Sequence, residues 1–412
     1  MISKRVLSRV LLISLSVVLL WKGIVPGFQE VQSDFPNYYV SSKLLLEGNH
    51  VSKFYDDEWF LTEANNINLP FAKFSPFPPP TAVLMVPLAR FSPLVAKQIW
   101  TIFNLFVLIG LIWNIYKVTD WKIEYCGLIV LLTGFGLINN FYLGQFYLLL
   151  TFLIFLGYHF ANQNKKLWAG LFFAVGVIFK YFPIVYLIGY LVNGKNKLVA
   201  YAIALGLMLA IGMFTIIGFE TIPVFVNQVL IPHLNGAISG QDPSSIAFQS
   251  YSSFFLNIFK SEILAKSSSW LIYLMVLSST IYAIFIIKRN KWHNNYVLAV
   301  IGFGAMVILP ASASYHFLLL IFPTVLFVHQ FKLDNEGWSS KYLMLIYTGV
   351  GFINAGFTKS FWSSDSIILK IVSYPRLWLI TALFVYVIFS LFQMRKRVKT
   401  RIINSFEKYE IS

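Results

Sequence analysis

Charge is what this chain has least of. Only 12% of its 412 residues are Asp, Glu, Lys or Arg, against roughly 25% in a soluble domain. With 58% hydrophobic residues and a mean hydropathy of +0.70, the composition excludes a soluble globular enzyme, a disordered tail protein and a fibrous chain. Cysteine is nearly absent too. Cys126 stands alone, which excludes an intramolecular disulfide and any cysteine-based metal cluster. Beside a hydrophobic run it reads as packing. Internal repeats are missing, as are His-x-x-x-His and Asp-x-Asp spacings and the glycine patterns of nucleotide-binding loops. No metal and no cofactor is therefore expected. The densest acidic run, Asp56-Asp57-Glu58, reads as a solvated turn.

What is present is apolar sequence in long runs. At about 20 residues per crossing, the hydrophobic content suffices for about twelve membrane helices. Runs at 10–26, 98–116, 125–138, 146–161, 167–179, 182–192, 198–218, 269–287, 296–309, 317–328, 342–357 and 374–394 supply them. The first run has no small-residue cleavage site after it, so it is expected to stay as an uncleaved helix. Several runs fall short of the roughly 17 residues of a full crossing. The short ones pair around polar or proline-bearing apices: Asn139 to Gln145, Lys180 to Pro183, and Pro310 to His316. Basic loops lie between the pairs, at Lys117/Lys122, Lys165/Lys166, Lys195/Lys197 and Lys288/Arg289/Lys291.

If the basic loops and both termini are cytoplasmic, they hold twenty of the 32 Lys and Arg but six of the 17 Asp and Glu. The formal net charge of +15 then marks orientation in a plasma or inner membrane, and no nucleic-acid partner is expected. The three apices and two long loops, 27–97 and 219–268, would face outward from a single polytopic domain. Broken backbone at membrane depth survives only where it lines a cavity, so an outward-facing cavity is expected.

The first loop carries Ser33-Asp34-Phe35-Pro36-Asn37-Tyr38-Tyr39, Phe54-Tyr55-Asp56, and Pro78-Pro79-Pro80. Half of the chain's 16 prolines fall in it, stiffening a segment expected to lack a packed core. Residues 79–91 are expected to form a helix on the membrane interface. A carboxylate at the outer end of a span, next to aromatics, is placed to act as a base toward a sugar hydroxyl. Asp34 fits that position, or simply sits in solvent. Lys180 interrupts an apolar run, and an ionisable residue there is a functional candidate unless it snorkels to the interface. His316 is a base candidate or a core histidine. Asn140 and Gln145 either bond a sugar or satisfy broken backbone. Tyr38 and Tyr39 either present rings to a sugar or pack. Lys73, Arg90 and Arg376 read as interfacial anchors.

The order Asp-Phe…Tyr-Tyr, Leu-Leu-x-Gly, Phe-Tyr-Asp, a Pro-Pro-led segment and a Trp-bearing second span resembles glycosyltransferase family 87, of the GT-C superfamily. The likeness continues at Gly144-Gln145, Phe179-Lys180-Tyr181-Phe182-Pro183, Phe248-Gln249-Ser250 and Ser312-Ala313-Ser314-Tyr315-His316…Pro323. Phe248 stands where the family often has Asn, and Tyr315 where it has the first of two His. The resemblance implies an all-α integral membrane bundle with a large first extracytoplasmic loop carrying interfacial helices. It further implies inverting transfer of a sugar, with mannose expected, from a polyprenyl-phosphate donor to a lipid or glycan hydroxyl among membrane lipids. Asp34 and His316 would be catalytic. Lys180, Gln145, Asn140, Tyr38, Tyr39, Tyr315 and Gln249 would bind donor phosphate or sugar. Arabinose transfer, a lipid-linked glycan ligase and a transporter are the alternatives. A transporter would be expected to show repeats and midplane ion pairs, which this sequence lacks.

Overall fold

The computed structural model describes residues 4–32, 34–234, 242–259, 261–334, 340–362 and 366–410. Among them the chain is all-helical, without a strand. The first helix is α1 (Arg5–Gln29). The first loop folds as α2 (Phe35–Leu46) and α3 (Asp57–Asn66). Then come α4 (Pro93–Thr119), α5 (Ile123–Leu131), α6 (Phe135–Leu143), α7 (Tyr147–Asn162), α8 (Lys166–Phe179), α9 (Ile184–Val192) and α10 (Asn196–Ile217). The C-terminal part adds α11 (Thr221–Leu230), α12 (Tyr251–Ile258), α13 (Glu262–Arg289), α14 (Asn295–Ile308), α15 (Ser314–Asp334), α16 (Lys341–Phe352), α17 (Ile367–Val372) and α18 (Pro375–Glu410).

Six helices are long and apolar enough to cross a membrane: α1, α4, α10, α13, α15 and the Pro375–Arg395 part of α18. A seventh arises if α5 and α6, bent by 74°, count as one span. Twelve crossings were expected, and a helix lies in every expected run. The difference is one of length. At 1.5 Å per residue, α7 reaches about 24 Å and α8 about 21 Å, less than the roughly 30 Å hydrocarbon core. The break in α5–α6 has a local cause. Gly134 has φ +51°, and a Cβ there would meet the backbone of Gly351 within 2.6 Å, so α16 packs into the bend.

Burial separates core from periphery. In α15, 78% of the apolar window is buried inside the protein, against 11% in α10 and 17% in α1. The bare faces of α1, α10 and α13 carry exposed Leu, Ile and Trp side chains, as lipid contact demands.

The first loop departs from expectation in two ways. It has an aromatic core, with Phe54, Phe60 and Phe74 fully buried and packed ring against ring at centroid distances of 5.4 to 6.0 Å. Burying three such rings holds the loop by apolar area as well as by proline stiffness. Residues 79–91 are not a helix, but a 3-10 turn at Pro79–Val83 followed by further turns. Pro78, Pro79, Pro80 and Pro87 remove the N–H donors a helix needs. Ser42 fastens this turn to α2, donating to the Ala82 carbonyl at 2.7 Å and accepting from Met85 N at 3.0 Å. Asp56 caps α3 by accepting from Trp59 N at 3.2 Å, and Asp57 pairs with Lys73 at 2.7 Å.

Cross-links assign elements to the two ends of the bundle. His50 meets Glu220 at 3.5 Å, and Tyr55 packs on Phe225, so the two long loops adjoin. At the other end Arg9 meets Glu124 at 3.3 Å.

Candidate active site

The three apices meet. Asn139 donates to Ser314 Oγ at 2.6 Å, joining the first apex to the third. Tyr147, opening α7, meets His316 Nε2 through its hydroxyl at 2.6 Å. From the remaining apex, Lys180 places its ammonium 5.2 Å from the Tyr147 ring centroid. The first loop closes the cluster with Asp34, Tyr38 and Phe77.

Asp34 precedes α2, where Asp is a favoured N-cap because its carboxylate can accept a first-turn N–H. It makes no such bond. Its carboxylate instead faces the polar side chains of Gln145 and Tyr315 and feels the charges of Lys180 and Lys97. Gln145 is oriented for this, because its Oε1 accepts from Tyr38 Oη at 3.0 Å, leaving the amide N–H to donate. Burial raises the Asp34 pKa above the ordinary carboxylate value; Gln145, Lys180, Lys97 and Tyr315 oppose it. The group remains a stronger base than an exposed carboxylate.

The two lysines are held differently. Lys97, in the first turns of α4, is 0% exposed. It donates to the Phe141 and Tyr142 carbonyls at 2.7 and 2.9 Å, at the C-terminal end of α6, where carbonyls lack helical partners. Trp100 Nε1 reinforces this by donating to Gly144 O at 2.9 Å. Lys180 follows the last residue of α8 and sits among rings, with its ammonium 4.2 Å from the Phe77 centroid and 5.9 Å from that of Tyr38. Among the described residues Asp34 and Lys180 share this space without closing an ion pair.

His316 has both ring nitrogens engaged. Nδ1 faces the Ala313 carbonyl at 3.2 Å, so it carries the proton, and Nε2 accepts from Tyr147. Tyr147 also stacks on Tyr315 with centroids 5.2 Å apart. Asp34, Lys180, Gln145, Tyr38, Tyr315 and His316 therefore lie together.

Three expected residues serve elsewhere. Asn140 takes an amide proton from Leu148 N at 3.0 Å and donates to Asn104 at 3.3 Å, holding the turn into α7. Tyr39 turns its hydroxyl to Phe91 O at 2.7 Å, away from the cluster. Gln249 donates to Ile246 O and Ser373 O at 2.8 and 3.1 Å and accepts from Arg376 N at 3.2 Å. Arg376 is no interfacial anchor. It is 3% exposed, lies over Phe317 at 5.3 Å, and leaves Nε and Nη2 without hydrogen-bond partners.

Lys97 and Tyr147 were not among the expected site residues. Lys97 had a signal, an ionisable residue one turn inside an apolar helix. Tyr147, among 22 tyrosines, had none.

Residues 76–323 match glycosyltransferase family 87, more than half of the chain. The chain belongs to that family and is a glycosyltransferase embedded in a membrane. The matched stretch contains Lys97, Gln145, Lys180, Tyr315 and His316, while Asp34 lies before it. No curated protein matches the chain.

Proposed function

We propose that this member of glycosyltransferase family 87 moves a single sugar, mannose, from a polyprenyl-phosphate donor to a lipid or glycan hydroxyl on the extracytoplasmic side of the cell membrane, with inversion at the anomeric carbon. The observation that carries the reading is the pairing of a half-buried carboxylate with an ammonium that stays apart from it. Asp34 is basic and Lys180 has no hydrogen-bond acceptor among the described residues, only the rings of Phe77, Tyr147 and Tyr38. A sugar between them separates base from cation, as the chemistry requires.

In the step itself the acceptor oxygen bonds to the anomeric carbon as its proton passes to Asp34. The bond from that carbon to the phosphate oxygen breaks, and the electron pair leaves with polyprenyl phosphate. Lys180 meets the negative charge that gathers on the leaving phosphate. Lys97 tempers the basicity of Asp34 and fixes the apex that carries Gln145. Tyr315, half-buried, presents a ring face suited to a sugar, while the fully buried Tyr38 orients Gln145. His316 holds Tyr147 in place. Loops 27–97 and 219–268, adjoining at this end, are the regions proposed to receive the acceptor.

The test incubates purified protein with labelled polyprenyl-phosphate mannose and a membrane lipid or glycan extract, beside Asp34→Asn. Transfer by the wild type and a loss of about 10²–10⁴ in the variant is the expected result. No transfer from that donor or from its arabinose analogue refutes the polyprenyl-phosphate reading. Equal transfer by the variant removes Asp34 as the base. Cysteines introduced at Asp56 and Asn290 supply the topology arm. The first is expected to react with an impermeant reagent outside, and the second only after permeabilisation.

A further inference from the structure

At the end of the bundle away from Asp34 lies a second polar region. α7 connects the two, with Tyr147 in the Asp34 cluster and Asn162 about 22 Å along the helix. Around Asn162 is a cavity of about 280 Å³ lined by Tyr158, Tyr190, Asn193, Lys195 and His293 among others. It adjoins one of about 420 Å³ lined by Lys166, Lys195 and Lys197. No carboxylate lines either cavity. Asp334, whose charge His293 feels, is already bonded by Tyr296 at 2.6 Å and by Gln330 at 3.1 Å. Among the described residues Lys166, Lys195 and Lys197 have no acidic partner.

Two further observations point to an anion. The N-termini of α8, α10 and α14 open at this end, and none is capped by a side chain. Their dipoles favour negative charge at these ends. Tyr190 lines the first cavity, is 5% exposed, and its hydroxyl has no hydrogen-bond partner. Its neighbour Tyr158 bonds Asn295 at 3.0 Å. A buried hydroxyl left unpaired is costly, and a ligand in the cavity would supply the missing acceptor. The flanking surface is apolar, with Trp168, Ile188 and Leu191 each more than half exposed, as expected where a tryptophan marks the membrane interface.

We infer that this cavity pair binds a phosphate group, carried by the headgroup of an anionic membrane lipid or present as free phosphate, through Lys195, Lys197, the helix N-termini and the Tyr190 hydroxyl. Asn193, held by Lys288 Nζ at 2.6 Å, completes a rim without negative charge. This site is distinct from the proposed donor site, and its ligand need not be a sugar donor.

The experiment measures the thermal unfolding midpoint of the full chain in a non-ionic detergent, titrated with phosphatidylglycerol, with phosphatidylcholine, or with inorganic phosphate. Phosphatidylglycerol is expected to raise the midpoint saturably and phosphatidylcholine is not. An equal rise with inorganic phosphate assigns the site to the free anion, and no rise with it assigns the site to the lipid. Tyr190→Phe, which removes only an oxygen without a partner, is expected to weaken the effective ligand about fivefold. The pair Lys195→Gln with Lys197→Gln is expected to weaken it about tenfold or more at low salt. The inference is overturned if phosphatidylcholine matches phosphatidylglycerol while phosphate does nothing. It is equally overturned if Tyr190→Phe binds as the wild type does. Should the lysine pair fail to fold, the Tyr190→Phe titration decides alone.

Discussion

Lys97 and Lys180 are the same residue beside the same carboxylate, yet the structure treats them as opposites. The first is fully buried and spends its protons on two backbone carbonyls. The second lies partly accessible among three rings, with an acceptor still to find. An ammonium needs hydrogen-bond acceptors more than it needs rings. A lysine whose acceptors are backbone is part of the scaffold, and one whose acceptors are missing waits for a substrate. The difference separates architecture from chemistry within one cluster.

Removing the shared partner is expected to have the largest effect. Asp34→Asn should lower kcat by about 10²–10⁴ in the sugar-transfer assay while leaving the unfolding midpoint close to that of the wild type. A collapse of the midpoint would show that Asp34 is scaffold too. Next comes Lys180→Met. Loss of the cation that meets the leaving phosphate should cost about 10²–10³ in kcat, and Lys180→Arg should restore part of it. Because the Lys180 ammonium donates no hydrogen bond among the described residues, the midpoint should stay close to that of the wild type.

Lys97→Met should show the reverse pattern. Two carbonyls lose their donor, costing about 1–3 kcal/mol, read as a lowered midpoint in detergent, and activity should follow the folded fraction. Gly144→Ala probes the same contact from the other side. Gly144 has φ +71°, and a Cβ would lie 2.8 Å from Lys97 Nζ and 2.9 Å from Phe35 Cβ. About 1–2 kcal/mol of destabilisation is expected.

The smallest effect is on pH. Burial holds the Asp34 pKa above the ordinary carboxylate value, and the base must be ionised, so kcat/KM should fall as pH drops through that raised value. Both lysines lower it, Lys180 more than Lys97. Taking away a neighbouring cation disfavours the carboxylate. The acid limb should therefore move to higher pH in Lys180→Met and by less in Lys97→Met. A limb that stays fixed in both would show that the titrating base is another group.

Part of this site was legible in the chain itself. Lys180 stood out because a charge in an apolar run is conspicuous, and Asp34 because it opens a loop at the end of a span. The order of motifs led to Gln145, Tyr315 and His316. Arg376 was misread because its position near a helix start suits an anchor, and only packing against Phe317 shows it buried. The first loop was read as coreless because its aromatic residues are scattered along the sequence, and their packing is a property of the fold.

Hydropathy is a sum along the chain, and the bilayer imposes the same test on every segment. Sequence alone therefore determined that the protein is helical and membrane-embedded, and where the apolar runs that become its membrane helices and their broken apices fall. Which groups share a pocket depends on contacts between residues far apart. Tyr147 and His316, bonded at 2.6 Å, are 169 positions apart, and Asn139 and Ser314 are 175 apart. No local pattern specifies such a meeting. Only the packing of α4, α6, α7 and α15 decided that one lysine would close a helix end and the other face the carboxylate.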